Sequence, residues 1–265
     1  MPADYWYRQT LDQPLFSEML WSRPENRSQA GRLMIAGGSL HGFAVPAEAY
    51  AAASKAGVGT ARVLLPDALQ KPVGLLFEAG EYAPSTPSGS FSRQALAVFM
   101  DCAAWADGVL LAGEFGRNSE TAILLESFVS KHHGQLTITR DALDYFVVTP
   151  GMILNRADTT LVLSMAQLQK LFMTSKQPVA ITFDMGLSRL TAALHDFTQA
   201  YPTNIIVRTN EHCVIAVDGS ISSTDCLGDK PVWRVTTAAA ASVWWLQNPS
   251  QTFKALTTSL IPAAQ

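Results

Sequence analysis

GRLMIAGGSLHGFAVPAEAYAAASKAGVGTARVLL, residues Gly31 to Leu65, decides the fold class by its pattern. The apolar run Leu33 to Ala36 ends in Gly37-Gly38, as a buried strand does when it meets a turn. A short polar loop follows, then the alanine-rich segment Val45 to Lys55 with Pro46 near its start. Proline suits a first helical turn, where its missing N–H has no partner to lose. Gly57 and Gly59 stop the helix, and Ala61 to Leu65 begins a second apolar strand. A β-turn-α-turn-β unit of about 30 residues has the size of a right-handed parallel crossover. The glycines admit two readings. Backbone N–H groups at a helix start attract anions, yet the run is neither G-x-G-x-x-G nor G-x-x-x-x-G-K-[ST], and turn and packing duties also call for glycine.

Outward from this unit, 265 residues suffice for one large α/β core, and 48% hydrophobic against 15% charged residues describes a packed globule. A net charge of −3 offers no basic field for nucleic acid. Cys102, Cys213 and Cys226 are far apart, odd in number and lack metal-ligand spacing, as expected of three buried or inert thiols in a reducing cytoplasm. The opening residues carry Asp4, Arg8 and Asp12 instead of a signal peptide's apolar region, and Val235 to Leu246 is too short to span a bilayer. A cytoplasmic location, without metal, membrane or nucleic-acid partners, is the expectation.

In chain order, residues 1–30 read as an aromatic-rich arm or short helix packed on a single domain of residues 31–265. Val73 to Phe77 reads as a strand and Ala79 to Ser92 as a loop. Phe91 to Trp105 has helical apolar spacing, and Gly108 to Ala112 is a buried strand. Asn118 or Ser119 caps a helix to about Lys131. Strands follow at Gln135 to Ile138, Thr160 to Leu163 and Val179 to Phe183, with helices near Ala166 to Met173 and Leu187 to Ala200. Asn204 to Arg208, Cys213 to Val217 and Ser220 to Ser223 are more antiparallel, turning at Asp218-Gly219. Thr236 to Leu246 and Ser250 to Leu260 are closing helices. This alternation predicts a three-layer α/β fold with a mainly parallel sheet, its ligand site outside the C-terminal strand ends. Gly37 to Ala44, Gly113 to Arg117, Thr139 to Asp141 and Ser164-Met165 form that rim.

The order of segments resembles the ribokinase-like superfamily, and within it the ADP/ATP-dependent NAD(P)H-hydrate dehydratase family, a carbohydrate-kinase-like group. Arg23-Pro24, Gly31-Arg32, Ala36-Gly37-Gly38-Ser39 and Lys55-Ala56-Gly57-Val58-Gly59 carry the resemblance, with Leu110 to Arg117 similar to the family's I-G-P-G-L-G-R and Asp141-Ala142-Leu143 to the end of its D-A-D-A-L. The second half departs from the pattern. The family's T-P-H-x-G-E falls on Leu163-Ser164-Met165-Ala166-Gln167, its K-G-x-x-T on Arg208 to His212, and its G-G-T-G-D on Ala238 to Ser242. Ser242 thereby occupies the position of the family's Asp, and a hydroxyl is a poor base near neutral pH.

The resemblance implies ADP or ATP and NAD(P)H as ligands, with Gly38, Ser39, His41, Val45, Gly113, Gly116, Arg117, Asp141, Arg208 and Ala241 at the binding site, and self-association. It leaves three readings: a homologue with an eroded site that binds a nucleotide or a partner, an active dehydratase using substitute residues, and a structural module of an assembly whose rim is filled by Phe115, Met165 or Trp233. Asp141 reads either as a site acid or as a cap. Arg117, Arg140 and Arg208 are candidates to face one anion. Asp225 or Asp229 is an alternative acid. His132-His133 suits a helix C-terminus, and His195, His212 and Trp244-Trp245 read as structural.

Overall fold

Leu33 and Ile35 face one side of their strand, Met34 and Ala36 the other, and all four are fully buried. A strand covered on both faces has no polar side to display, which is why the run is continuous. The computed structural model describes residues 4–74, 77–226 and 233–262. Its strands are β1 (Trp6–Gln9), β2 (Arg32–Gly37), β3 (Thr60–Pro66), β4 (Gly80–Ala83), β5 (Gly108–Gly113), β6 (Gln135–Thr139), β7 (Thr159–Leu163), β8 (Asn204–Arg208), β9 (His212–Val217) and β10 (Ser220–Asp225). Its helices are α1 (Ser17–Trp21), α2 (Ala44–Lys55), α3 (Gln70–Val73), α4 (Leu96–Trp105), α5 (Ser119–Lys131), α6 (Gly151–Leu154), α7 (Met165–Thr174), α8 (Leu187–Ala200), α9 (Trp233–Gln247) and α10 (Thr252–Thr258).

The strands form one sheet in the order β1-β10-β9-β8-β7-β6-β5-β2-β3-β4. Every neighbouring pair is parallel except the two made by β9. Helices α2, α9 and α10 pack on the Leu33–Ile35 face, and α4, α5, α7 and α8 on the Met34–Ala36 face. The two layers are filled differently. Ala49 and Ala53 of α2 and Ala238, Ala239 and Ala241 of α9 are buried small residues that let these helices lie close to the sheet. On the opposite layer Phe91, Phe99, Phe115 and Phe128 form a chain of ring contacts with centroids 5.0 to 5.7 Å apart.

Several expectations change. The arm contains an edge strand: β1 pairs in parallel with β10, and Gln9 fastens it through bonds to Thr224 Oγ1 and the Thr257 carbonyl. The segment read as a loop contains β4, which extends the sheet beyond β3. Val73 ends a helical turn where a strand was expected, and residues 75 and 76 lie outside the described residues. Val179 to Phe183 is not a strand. Ile181 alone is buried there and Phe183 is exposed, because β8 already occupies the place beside β7. At Asp218-Gly219 both residues have positive φ (46° and 75°), as a type I′ hairpin demands.

Candidate functional site

The parallel strands β2, β5, β6 and β7 end at one edge, and their connecting loops build a cleft there. Gly38 (φ +89°) turns the chain away from β2 and donates its N–H to the Gly113 carbonyl at 3.0 Å. Gly113 (φ +121°) ends β5 so tightly that a Cβ there would stand 2.7 Å from Asp141 Oδ1. Both positions call for glycine through their positive φ, and Gly113 also through the Asp141 carboxylate beside it.

The next residue explains what the Gly-Gly turn faces. Glu114 adopts φ +62°, a left-handed conformation uncommon outside glycine. Its N–H donates to Asp141 Oδ1 at 2.7 Å, and its Oε2 accepts the Val45 N–H at 3.0 Å. The N-terminus of α2, for which the sequence leaves an anion reading open beside a turn-and-packing one, thus holds the protein's own carboxylate. Arg140, directly after β6, is also left-handed (φ +54°). Residues held in such conformations concentrate at ligand sites.

The cleft encloses about 400 Å³, lined by Ser39, His41, Gly116, Asp141, Arg140 and Arg234 among others. Arg234 enters from the first turn of α9 and donates to Gln167 Oε1 at 3.0 Å. Gln167 in turn donates to the Arg140 carbonyl at 2.7 Å and to Asp144 Oδ1 at 3.1 Å, while closing the capping box of α7. Burial pushes the Arg234 guanidinium below its ordinary pKa, and the like charge of Arg140 adds to this; Asp144 and Asp141 oppose it. Arg140 makes no ion pair among the described residues, and its Nε–H is buried without a partner. The cleft therefore holds donors that the chain leaves unused, whereas Glu114, Asp141 and Asp144 each accept an internal hydrogen bond. A ligand rich in acceptors, such as a phosphate, matches that surplus.

A second cavity of about 280 Å³ lies on the other side of the α9 start, lined by Arg208, Trp233, Cys213, Cys226 and Thr224 among others. Arg208 sits 6.0 Å from the centre of the Trp233 ring.

The sequence-derived residues divide among these places. Ser39, His41, Gly116 and Asp141 line the first cleft, Gly38 and Gly113 sit next to its lining residues Ser39 and Glu114, and Val45 contributes its N–H to the Glu114 bond. Arg208 belongs to the second cavity, and Arg117 is exposed and lines neither. The three arginines expected at one anion are thus separated, and Arg140 is joined by Arg234.

Ala241 and Ser242 require a correction. Both are buried within α9, two turns past its start at Trp233, so the slot that the resemblance gave to an anion hole is not a helix N-terminus. The Ser242 hydroxyl donates to the Ala238 carbonyl at 2.8 Å and contacts Thr137 Oγ1 at 2.9 Å. Phe115 is buried against Phe91 and does not fill the rim, and Met165 packs partly buried on the core. Asp225 pairs with His212 at 3.4 Å, and Asp229 lies outside the described residues. Glu114 lay inside the expected rim without a role, and Gln167 lay in the segment aligned with the family's T-P-H-x-G-E, where Ser164-x-x-Gln167 also signals a capping box; Asp144 and Arg234 had no local signal, since they meet only through the sheet order. Among the described residues no group of three or more His, Cys, Asp or Glu is placed to hold a metal ion, and no helix is long and apolar enough to cross a membrane.

No protein-family model matches this sequence, and no curated protein does. Solved structures do match it. A ribokinase-like superfamily protein from Enterococcus faecalis V583 superposes with a TM-score of 0.72 at 14% identity, over 98% of this chain and 87% of that one. An ADP/ATP-dependent NAD(P)H-hydrate dehydratase from Bacillus subtilis, co-crystallized with ATP/Mg²⁺, gives 0.62 at 11% identity, over 93% and 86%. A Bacillus subtilis pyridoxal kinase in an ADP complex gives 0.55 at 9% identity, over 86% and 88%. The fold is the ribokinase-like three-layer α/β architecture. Within that class, the chain shares its frame with both the kinases and the dehydratase.

Proposed function

We propose that this is a NAD(P)H-hydrate-dehydratase-like protein that binds a phosphate-bearing adenine or nicotinamide nucleotide in the Arg140–Arg234 cleft and no longer carries out the dehydratase reaction. The observation that carries the binding is the donor surplus: a buried Arg140 Nε–H without a partner beside a half-buried Arg234 that donates to a neutral amide. The nucleotide class is drawn from the structural neighbours crystallised with ATP or ADP. Loss of the reaction is drawn from Met165 and Ser242, which stand where the resemblance puts the family's His and Asp. Met165 is packed on one core layer and Ser242 is buried in the other, so neither offers a free acid–base group. Losing a positioned acid–base group costs roughly 10²–10⁴ in rate.

The test is thermal melting of the full chain with ADP, ATP, AMP, NADH and NADPH, each with and without Mg²⁺, followed by an assay on hydrated NADH. A ligand at 100 times its Kd adds about 2.7 kcal/mol of stability. For a chain of this length that corresponds to a rise in Tm of roughly 5–10 °C. A saturable rise without turnover is the expected result. A flat response at millimolar ligand overturns the binding reading, and turnover of hydrated NADH overturns the loss of reaction.

A further inference from the structure

Antiparallel pairing of β9 with its two neighbours lines up three side chains across the sheet. Arg208 of β8 is the register partner of Cys213, and Cys213 is the partner of Thr224 on β10. Directly opposed residues share a face, and so do residues two apart along a strand. Cys226, two residues beyond Thr224, therefore returns to the same face beside Cys213. The apolar packing agrees: Cys213 is buried in the layer beneath α9 and α10, and Cys226 packs partly buried against it. The backbone fixes this arrangement, since the Cys226 N–H donates to the Glu211 carbonyl at 2.7 Å. Both thiols are free and line the cavity that contains Arg208 and Trp233.

We propose that Cys213 and Cys226 are a redox-active thiol pair, with Cys226 the attacking sulfur at the cavity wall and Cys213 the resolving sulfur behind it. The exposures suit these roles, because Cys226 is half-buried and reachable while Cys213 is 2% exposed. The electrostatics agree. The neighbouring Cys213 thiol brings the Cys226 thiol down to about 7, with Arg208 assisting against burial and the charge of Asp225. The same contact, together with burial, pushes the Cys213 thiol up. When protonated, Cys226 instead directs its S–H at the Thr224 carbonyl, 3.6 Å away. Cys102 supplies the contrast within the chain: burial and the Glu81 carboxylate, 3.0 Å from its sulfur, push it up to about 12. Thiolate character decides which cysteine reacts.

The reaction is thiol–disulfide exchange with a low-molecular-weight disulfide, RSSR. The Cys226 thiolate attacks one sulfur of RSSR, forming a mixed disulfide and expelling one RS⁻. The Cys213 thiol gives its proton to solvent and attacks the Cys226 sulfur, forming the internal disulfide and expelling the second RS⁻. Two protein thiols are oxidised, and one disulfide is reduced to two thiols. The site stands independently of the nucleotide reading, since it uses no residue of the Arg140–Arg234 cleft.

The experiment incubates the full chain in glutathione buffers from fully reduced to fully oxidised, then traps free thiols with an alkylating agent and locates them by peptide mass spectrometry. The expected wild-type product has lost two hydrogens, carries a Cys213–Cys226 crosslink and leaves Cys102 as a free thiol. In Cys213→Ala the reaction is expected to stop at a glutathione adduct on Cys226, and Cys226→Ser is expected to form neither species. Cys213→Ser serves as a second resolving-thiol variant should the alanine fold poorly. Three free thiols at every buffer ratio overturn the proposal. So does a stable glutathione adduct on the wild-type chain, or a crosslink that recruits Cys102.

Discussion

Replacing Arg234 with methionine separates a ligand-binding arginine from a structural one. Without ligand, the substitution removes one hydrogen bond from the charged guanidinium to the Gln167 amide, worth about 1.5–3 kcal/mol. Against that loss, methionine fills similar space and relieves a half-buried cation that neighbours Arg140. The two effects oppose, so the apo chain is expected to lose no more than about 2 kcal/mol relative to wild type. Binding has no such offset. A charge-assisted hydrogen bond to a phosphate contributes about 1.5–3 kcal/mol, or roughly a 10- to 150-fold change in Kd. At a nucleotide concentration of 100 times the wild-type Kd, the stabilisation of about 2.7 kcal/mol falls to about 0.3–1.4 kcal/mol. Urea titration of the apo protein and thermal melting with nucleotide measure the two quantities separately. Arg117→Met, at an exposed position that lines neither cavity, is the control and leaves both unchanged. If Arg234→Met loses several kcal/mol as the apo protein and keeps the wild-type nucleotide response, the arginine is a strut for α7 and α9 and the reasoning fails.

Two further outcomes follow from buried groups. Ser242→Asp, which writes the family's acid into its aligned position, places an unpaired charge between α9 and β6; a loss of about 3–5 kcal/mol is expected in urea melts, with no turnover of hydrated NADH, and a stable, active variant refutes the assignment of Ser242 to the core. His132 is held below its ordinary pKa, chiefly by burial, with the Gln135 carbonyl opposing and the charges of Arg156 and His133 adding. As pH falls below about 6.5 the unfolded chain takes up this proton first, so stability declines until the lower folded-state pKa is reached. His132→Phe is expected to flatten that part of the stability–pH curve, and an unchanged slope counts against it.

The sequence by itself determined the crossover unit, the parallel core and the edge at which the cleft opens. These follow from local physics: a continuous apolar run buried on both faces, a proline in a first turn, glycines where the chain must turn, and an Asn cap such as Asn118, whose side chain accepts the Glu120 N–H at 2.8 Å. The strand-end positions of Gly38, Gly113 and Asp141 follow from the same local signals. The tertiary structure alone decided what those loops meet. Glu114 fills the helix start that looked open to phosphate because β2 and β5 are sheet neighbours, although 69 positions separate Glu114 from Val45. Arg234 stands beside Arg140, and Cys226 beside Cys213, through strand order and register, which no window of sequence encodes. The alanines of α9 were misplaced at a site because an alanine run has the same composition on a ligand-facing turn as in a helix packed against a sheet. Only the packing of α9 shows that these methyl groups face the core.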